Sequence, residues 1–136
     1  MFEVNFLAVA IAGVANMVLG FIWYAPKVFG DTWIRSMNLT PDQMEAGKKK
    51  MPMMAIAGFI AALIMAYVLN HFAIAWGVVD WIGAVELGFW TWLGFVAVVL
   101  LGTVLWEGKS IKMYAINAGY WLIALIMMAL VLFWMS

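Results

Sequence analysis

The sequence predicts an all-α integral membrane protein: a four-helix transmembrane bundle with a short amphipathic cytoplasmic helix between its first two spans. Three observations lead there. Four apolar runs are each long enough for a helix to cross about 30 Å of hydrocarbon at about 1.5 Å per residue. The chain is 68% hydrophobic and 10% charged, whereas soluble domains are roughly half apolar and a quarter charged, so it has too little polar surface to clothe a globule in water. Finally, all 7 Lys and Arg residues fall in or beside just two of the connections between these runs.

The spans, about 5–24, 53–70, 84–105 and 111–134, form one transmembrane domain over residues 1–136. Pro26 closes the first, because the residue before a proline is pushed out of the α region. Pro52 suits the first turn of the second, where its missing N–H costs nothing. The third begins at Trp81 or Ala84 and is the cleanest run, with Glu86 its one charge up to Leu105. The other spans are laid out around it. The turn Glu107–Ser110 is so short that the third and fourth spans must be antiparallel neighbours. Trp23, Tyr24, Trp106 and Tyr114 mark one interface, and Trp76, Trp81 and Trp134 the other.

Lys27, Arg35, Lys48, Lys49 and Lys50 lie between spans one and two, and Lys109 and Lys112 between three and four. The N-terminus, the loop Phe72–Asp80 and the C-terminus carry no Lys or Arg. The positive-inside rule places the basic loops in the cytoplasm and both termini outside. Met1-Phe2-Glu3 lacks a basic n-region, so no cleaved signal peptide is expected. In the first loop, Thr40-Pro41-Asp42-Gln43 reads as a capping box opening a helix that Lys48–Lys50 close. Upstream, Trp33, Ile34 and Met37 share one face of a short helix starting near Asp31. This loop is expected to lie on the inner leaflet, anchored by Trp33, Lys48, Lys49 and Lys50.

Lipid-embedded helices associate through small residues and buried hydrogen bonds. Helical spacing gathers Asn5, Ala8, Ala12, Asn16 and Gly20 on span one, and Ala55, Gly58, Ala62 and Ala66 on span two. Gly83, Thr91, Gly94 and Gly102 share a face of span three, and Ala115, Ala118 and Gly119 flank Asn117 on span four. Leu19-Gly20 before Tyr24 and Lys27 matches Leu101-Gly102 before Trp106 and Lys109, a thin hint of a parallel duplication.

The functional leads are polar groups at membrane depth. Asn16 lies about 12 Å from the Tyr24 end of span one, and Asn117 lies within two turns of the basic end of span four. Both amides need inward partners, as interhelical glue or as a polar lining. Glu86 falls at the outer boundary, facing water or headgroups. A sharper reading is an outer acidic vestibule of Glu3, Asp80 and Glu86, in which His71 lies close to Glu86 or Asp80 and titrates near neutral pH. Glu107 is expected to pair with Lys109, Lys112 or Lys27 at the inner interface.

Other chemistries fall away. Without cysteine there are no disulfides or thiolates, and one histidine cannot make a two-histidine metal site. The 12 methionines are spread along the chain as flexible apolar packing rather than a thioether copper site. Gly108-Lys109-Ser110 is only the tail of a phosphate loop. No cofactor, metal or catalytic residue is expected, nor a nucleic-acid partner.

The blocks Asn5-Phe6-Leu7-Ala8-Val9, Gly20-Phe21-Ile22-Trp23-Tyr24 with Pro26 and Phe29-Gly30, Trp106-Glu107-Gly108-Lys109-Ser110, and Ile116-Asn117-Ala118-Gly119-Tyr120-Trp121 resemble a bacterial family of small four-span membrane proteins catalogued as a domain of unknown function. The resemblance covers nearly the whole chain. It implies the four-span architecture and a bacterial inner membrane, and it brings no activity or ligand to transfer. Two functional classes follow. One is a non-enzymatic structural or accessory module whose partners are the lipid bilayer, further copies of itself as a homo-oligomer, or another membrane protein. The alternative is a small oligomeric channel or transporter for protons, cations or a small solute, lined by Glu86, His71, Asn16 and Asn117. A pathway needs a wet cavity joining the Glu86 level to Asn16 and Asn117; an accessory module needs those amides paired and a dry interior.

Overall fold

The computed structural model describes residues 4–136; Glu3, of the expected vestibule, lies outside them. Five helices account for almost all of the described chain. Helix α1 (Phe6–Trp23) leads through a π turn over Pro26–Gly30 into the short α2 (Asp31–Met37). Helix α3 runs from Pro41 to Trp76, α4 from Trp81 to Leu105 and α5 from Ile111 to Trp134. Helices α1, α3, α4 and α5 are long and apolar enough to cross a membrane.

Local signals set the helix ends. Asn5, Thr40, Asp80 and Ser110 each accept a hydrogen bond from a backbone N–H in the first turn of the helix that follows. At Thr40 the capping box is complete, with the Gln43 side chain accepting from the Thr40 N–H at 2.9 Å. Gly77, in the left-handed region at φ 72°, stops α3. In the π turn, a Cβ on Gly30 would collide with the Tyr24 carbonyl oxygen, so the close backbone approach there requires glycine.

The second span differs from expectation. The helix opened at Thr40 and the second transmembrane run are one continuous helix of 36 residues, about 54 Å at the standard rise. Pro52 sits inside it rather than in a first turn. Proline removes one N–H and leaves the carbonyl four residues back, on Lys48, without its helical partner. The Lys48–Met54 stretch is exposed, so water can satisfy that carbonyl and the helix carries on. Lys48, Lys49 and Lys50 therefore ride on a projecting extension of α3 and do not end a surface-lying helix.

Packing follows small residues. The core is rich in alanine: Ala8 and Ala12 of α1, Ala62 and Ala66 of α3, Ala84 of α4, and Ala124 and Ala129 of α5 are all buried. Large apolar side chains point outward, with Phe6, Ile56, Phe95 and Val99 all more than 60% exposed. That inversion suits a lipid solvent, which gives no reason to hide bulky hydrocarbon. The organising helix is α5 and not the third span: it packs against α1 and α4 on either side and also touches α3. It meets α4 closely, since a Cβ on Gly88 would come within 2.6 Å of the Ile126 Cα.

The inward face of α4 is Ala84, Leu87 and Gly88. Gly94 faces open space, and a Cβ on Gly102 would meet only Trp106. Gly94 lies within a π turn over Leu93–Ala97, and Gly102 follows it. One extra residue in that turn rotates everything after it by about 100° relative to a uniform helix count. On α3, Gly58 likewise faces open space while Ala62 and Ala66 are buried. A parallel duplication would make α1–α5 and α3–α4 equivalent contacts; the first is extensive and the second slight.

Candidate functional site

Polar side chains within the bundle gather in two layers. At the end opposite the basic loops, Asn5 ties three helices together. Its carboxamide oxygen caps α1 at the Ala8 N–H (3.0 Å), and its carboxamide NH2 donates to the Met135 carbonyl (2.8 Å). Its backbone N–H donates to the Asn70 side-chain oxygen at 3.1 Å, and Asn70 is buried.

The larger layer lies toward the basic end, between α1 and α5. The Tyr120 hydroxyl donates to Asn16, lying within reach of both its carboxamide oxygen and its backbone carbonyl. Asn16 is 3% exposed, so without this partner its oxygen would sit unpaired in the core. The Tyr24 hydroxyl donates to the Asn117 carboxamide oxygen at 2.6 Å. Two indoles then grip α5 from opposite sides: Trp23 donates to the Ile116 carbonyl (3.1 Å) and Trp92 to the Ala118 carbonyl (2.8 Å). One turn further along, the Tyr114 hydroxyl donates to the Ala97 carbonyl at the π turn of α4 (2.9 Å).

Ring packing links these groups. The Tyr24 ring lies 5.5 Å from Tyr120 and 5.6 Å from Trp33 of α2, and Trp23 lies 4.7 Å from Phe29. Trp33 thus docks the amphipathic helix onto the bundle through Tyr24, and its indole N–H is buried without a partner among the described residues. Helical spacing pointed to Asn16 and Asn117 but not to their partners. Tyr24 looks like an interfacial anchor in sequence, and only the α1–α5 crossing turns its hydroxyl onto Asn117.

The remaining expected residues form no ion pair with one another among the described residues. His71 is exposed, with its ring 4.7 Å from Tyr67, and Glu86 is exposed on the outer face of α4. The Asp80 carboxylate is engaged as the α4 cap, accepting from Gly83 at 2.7 Å. Glu107 is exposed in its turn. Among the described residues no carboxylate lies within 4.0 Å of a Lys, Arg or His nitrogen, so Glu107 makes no ion pair with Lys109, Lys112 or Lys27.

Two cavities lie away from the polar layers. A groove of about 420 Å³ between α3 and α4 is lined by Ile64, Val68, Phe72, Phe95 and other apolar side chains, with Thr91 its one polar contributor. The Thr91 hydroxyl donates back to the Leu87 carbonyl at 2.7 Å, leaving no free donor for a guest. A smaller pocket of about 220 Å³ lies between α2 and the start of α5 and is polar: Thr32, Arg35, Ser36 and Lys112.

These features belong to a multi-pass helical membrane protein in which Asn16, Asn117 and Asn5 are paired across helices. The family described as "Protein of unknown function (DUF1761)" matches residues 7–133. The chain belongs to this family. No curated protein matches the chain, and no solved structure does. The match to DUF1761 begins at the second residue of α1 and ends in the last turn of α5, so the Asn16–Asn117 layer lies wholly within it, while Asn5 and Met135 of the outer layer fall just outside.

Proposed function

We propose that this DUF1761 protein is a structural or accessory module of the bacterial inner membrane, non-enzymatic, acting through self-association or through other membrane proteins. In this reading the basic loops face the cytoplasm and both termini face outward, as the Lys and Arg distribution favours. The observation that supports it most is the pairing of Asn16 with Tyr120 and of Asn117 with Tyr24. A conducting pathway would need those amides turned toward water; here each carboxamide oxygen is taken by a tyrosine from the facing helix. The buried core cluster of the bundle is alanine, valine, leucine and methionine, a composition that favours a dry interior. The 420 Å³ groove opens sideways between α3 and α4 and is apolar, so it offers a flank for a neighbouring helix or lipid rather than a route for ions.

The test is reconstitution into liposomes loaded with pH- and cation-sensitive dyes. The expected result is no proton or cation flux above protein-free vesicles, together with energy transfer between differently labelled copies in the same bilayer. Flux in the wild type that Glu86→Gln or Asn16→Leu removes would replace the accessory reading with that of a channel.

A further inference from the structure

The basic end carries cationic donors without a partner among the described residues. Arg35 uses its Nε to donate to the Asp31 carbonyl at 3.3 Å. That leaves its two terminal NH2 groups without a partner among the described residues. Lys112, contributed by the first turn of α5, forms no ion pair among them. Both cations line one pocket of about 220 Å³, together with Thr32 and Ser36. Ser36 donates its hydroxyl hydrogen to the Thr32 carbonyl at 2.9 Å, whereas the Thr32 hydroxyl has no hydrogen bond among the described residues. Beside it in sequence, Trp33 holds a buried N–H without an acceptor among the described residues.

Two like charges converging on one recess repel each other unless an anion lies between them. A guanidinium fork with an adjacent ammonium and hydroxyl is the donor set that recognises phosphate oxygens. The volume is below that of a drug-sized pocket, which fits a headgroup rather than a nucleotide. The fold also supplies the surroundings of a lipid. Ile34 and Ile111, the sequence neighbours of Arg35 and Lys112, are exposed and available to acyl chains. The pocket lies where the apolar span of α5 begins, the level at which lipid phosphates are expected for a chain threaded this way.

We propose that Arg35, Lys112 and Thr32 form a binding site for a phosphate group, supplied by an anionic phospholipid of the adjoining leaflet. Arg35 takes two phosphate oxygens, Lys112 neutralises the remaining charge, and the Thr32 hydroxyl donates a further hydrogen bond. The lysines on the α3 extension differ in placement: like Arg35 and Lys112 they are exposed, but they line no pocket in common with that pair. The assignment does not depend on whether the chain self-associates, and its failure would leave the accessory reading untouched.

The full chain, purified from membranes containing phosphatidylglycerol, is delipidated stepwise in neutral detergent, and its retained lipid is measured by native mass spectrometry. One anionic phospholipid per chain is expected to remain. Retention should fall about fivefold for each cation removed in Arg35→Gln and Lys112→Gln, and the double variant should lose it altogether. Lys49→Gln/Lys50→Gln, which removes equal charge away from the pocket, should retain lipid like the wild type. Thr32→Val, neutral and conservative in shape, should give a smaller loss without altering helicity by circular dichroism. Phosphorus NMR titration with inorganic phosphate separates the sources. Binding that Arg35→Gln abolishes, with no retained lipid, supports the phosphate site and assigns it a soluble ligand. Equal retention by wild type and the double Arg35/Lys112 variant, or equal loss in the Lys49/Lys50 control, would overturn the proposal.

Discussion

The α1–α5 seam and the α3–α4 seam lie in the same bundle and meet the same solvent, yet one is closed and the other open. Along the first, Asn16, Tyr120, Tyr24, Asn117 and Trp23 supply donors and acceptors that meet across the helices. Along the second, Ile64, Val68, Phe72 and Phe95 face one another across a 420 Å³ groove, and the only polar side chain bonds to its own helix. Both seams are rich in hydrocarbon, so apolar character cannot be what closes one of them. In lipid, burying a bulky side chain against another helix gains little over leaving it among acyl chains. Helices close where small residues permit backbone approach and where a polar group would otherwise be left unpaired.

The contrast can be broken most forcefully where backbones touch. Gly88→Val places a side chain against the Ile126 backbone at the α4–α5 contact. It should destabilise the fold by about 3 kcal/mol, the upper end for overpacking a tight interface, read from unfolding in mixed detergent micelles. Asn16→Leu comes next. It takes the carboxamide acceptor from the buried Tyr120 hydroxyl, leaving it only a backbone carbonyl, and should cost about 1.5 kcal/mol in the same assay. Adding Tyr120→Phe to that variant should recover part of the loss. A double-mutant cycle of Tyr24→Phe and Asn117→Leu sharpens the comparison further. Its coupling should be about 1 kcal/mol, typical of interhelical hydrogen bonds in membranes, and a value near zero would remove the closed seam's stated cause. The smallest effect belongs to the open seam. Phe95→Ala, on a side chain 68% exposed, should change unfolding by under about 0.5 kcal/mol. A large loss there would mean that the groove is filled in the bilayer by another helix.

Several parts of this arrangement are legible in the residues themselves. The Thr40–Gln43 capping box and the short turn before Ser110 are local devices, so they can be read wherever they occur. Others are not. Nothing in the sequence distinguishes Pro52 as a first-turn proline from Pro52 inside a long helix, because the outcome depends on water reaching the carbonyl it frees. The later part of α4 is hidden for a similar reason: the π turn at Leu93–Ala97 shifts the register, so a uniform count brings Gly102 onto the face it leaves. Asn70 passes as the polar end of a span until the chain ends bring Asn5 against it.

By itself, the sequence determined that this chain crosses a membrane on four helices with its cations gathered at one end. Those are questions of solvent and run length, answered one segment at a time. The tertiary structure alone decided that α5 is the hub, which tyrosine serves which asparagine, and that Arg35 and Lys112 share a recess. Each of these depends on how helices cross, and a crossing is a relation between distant residues that no single segment encodes.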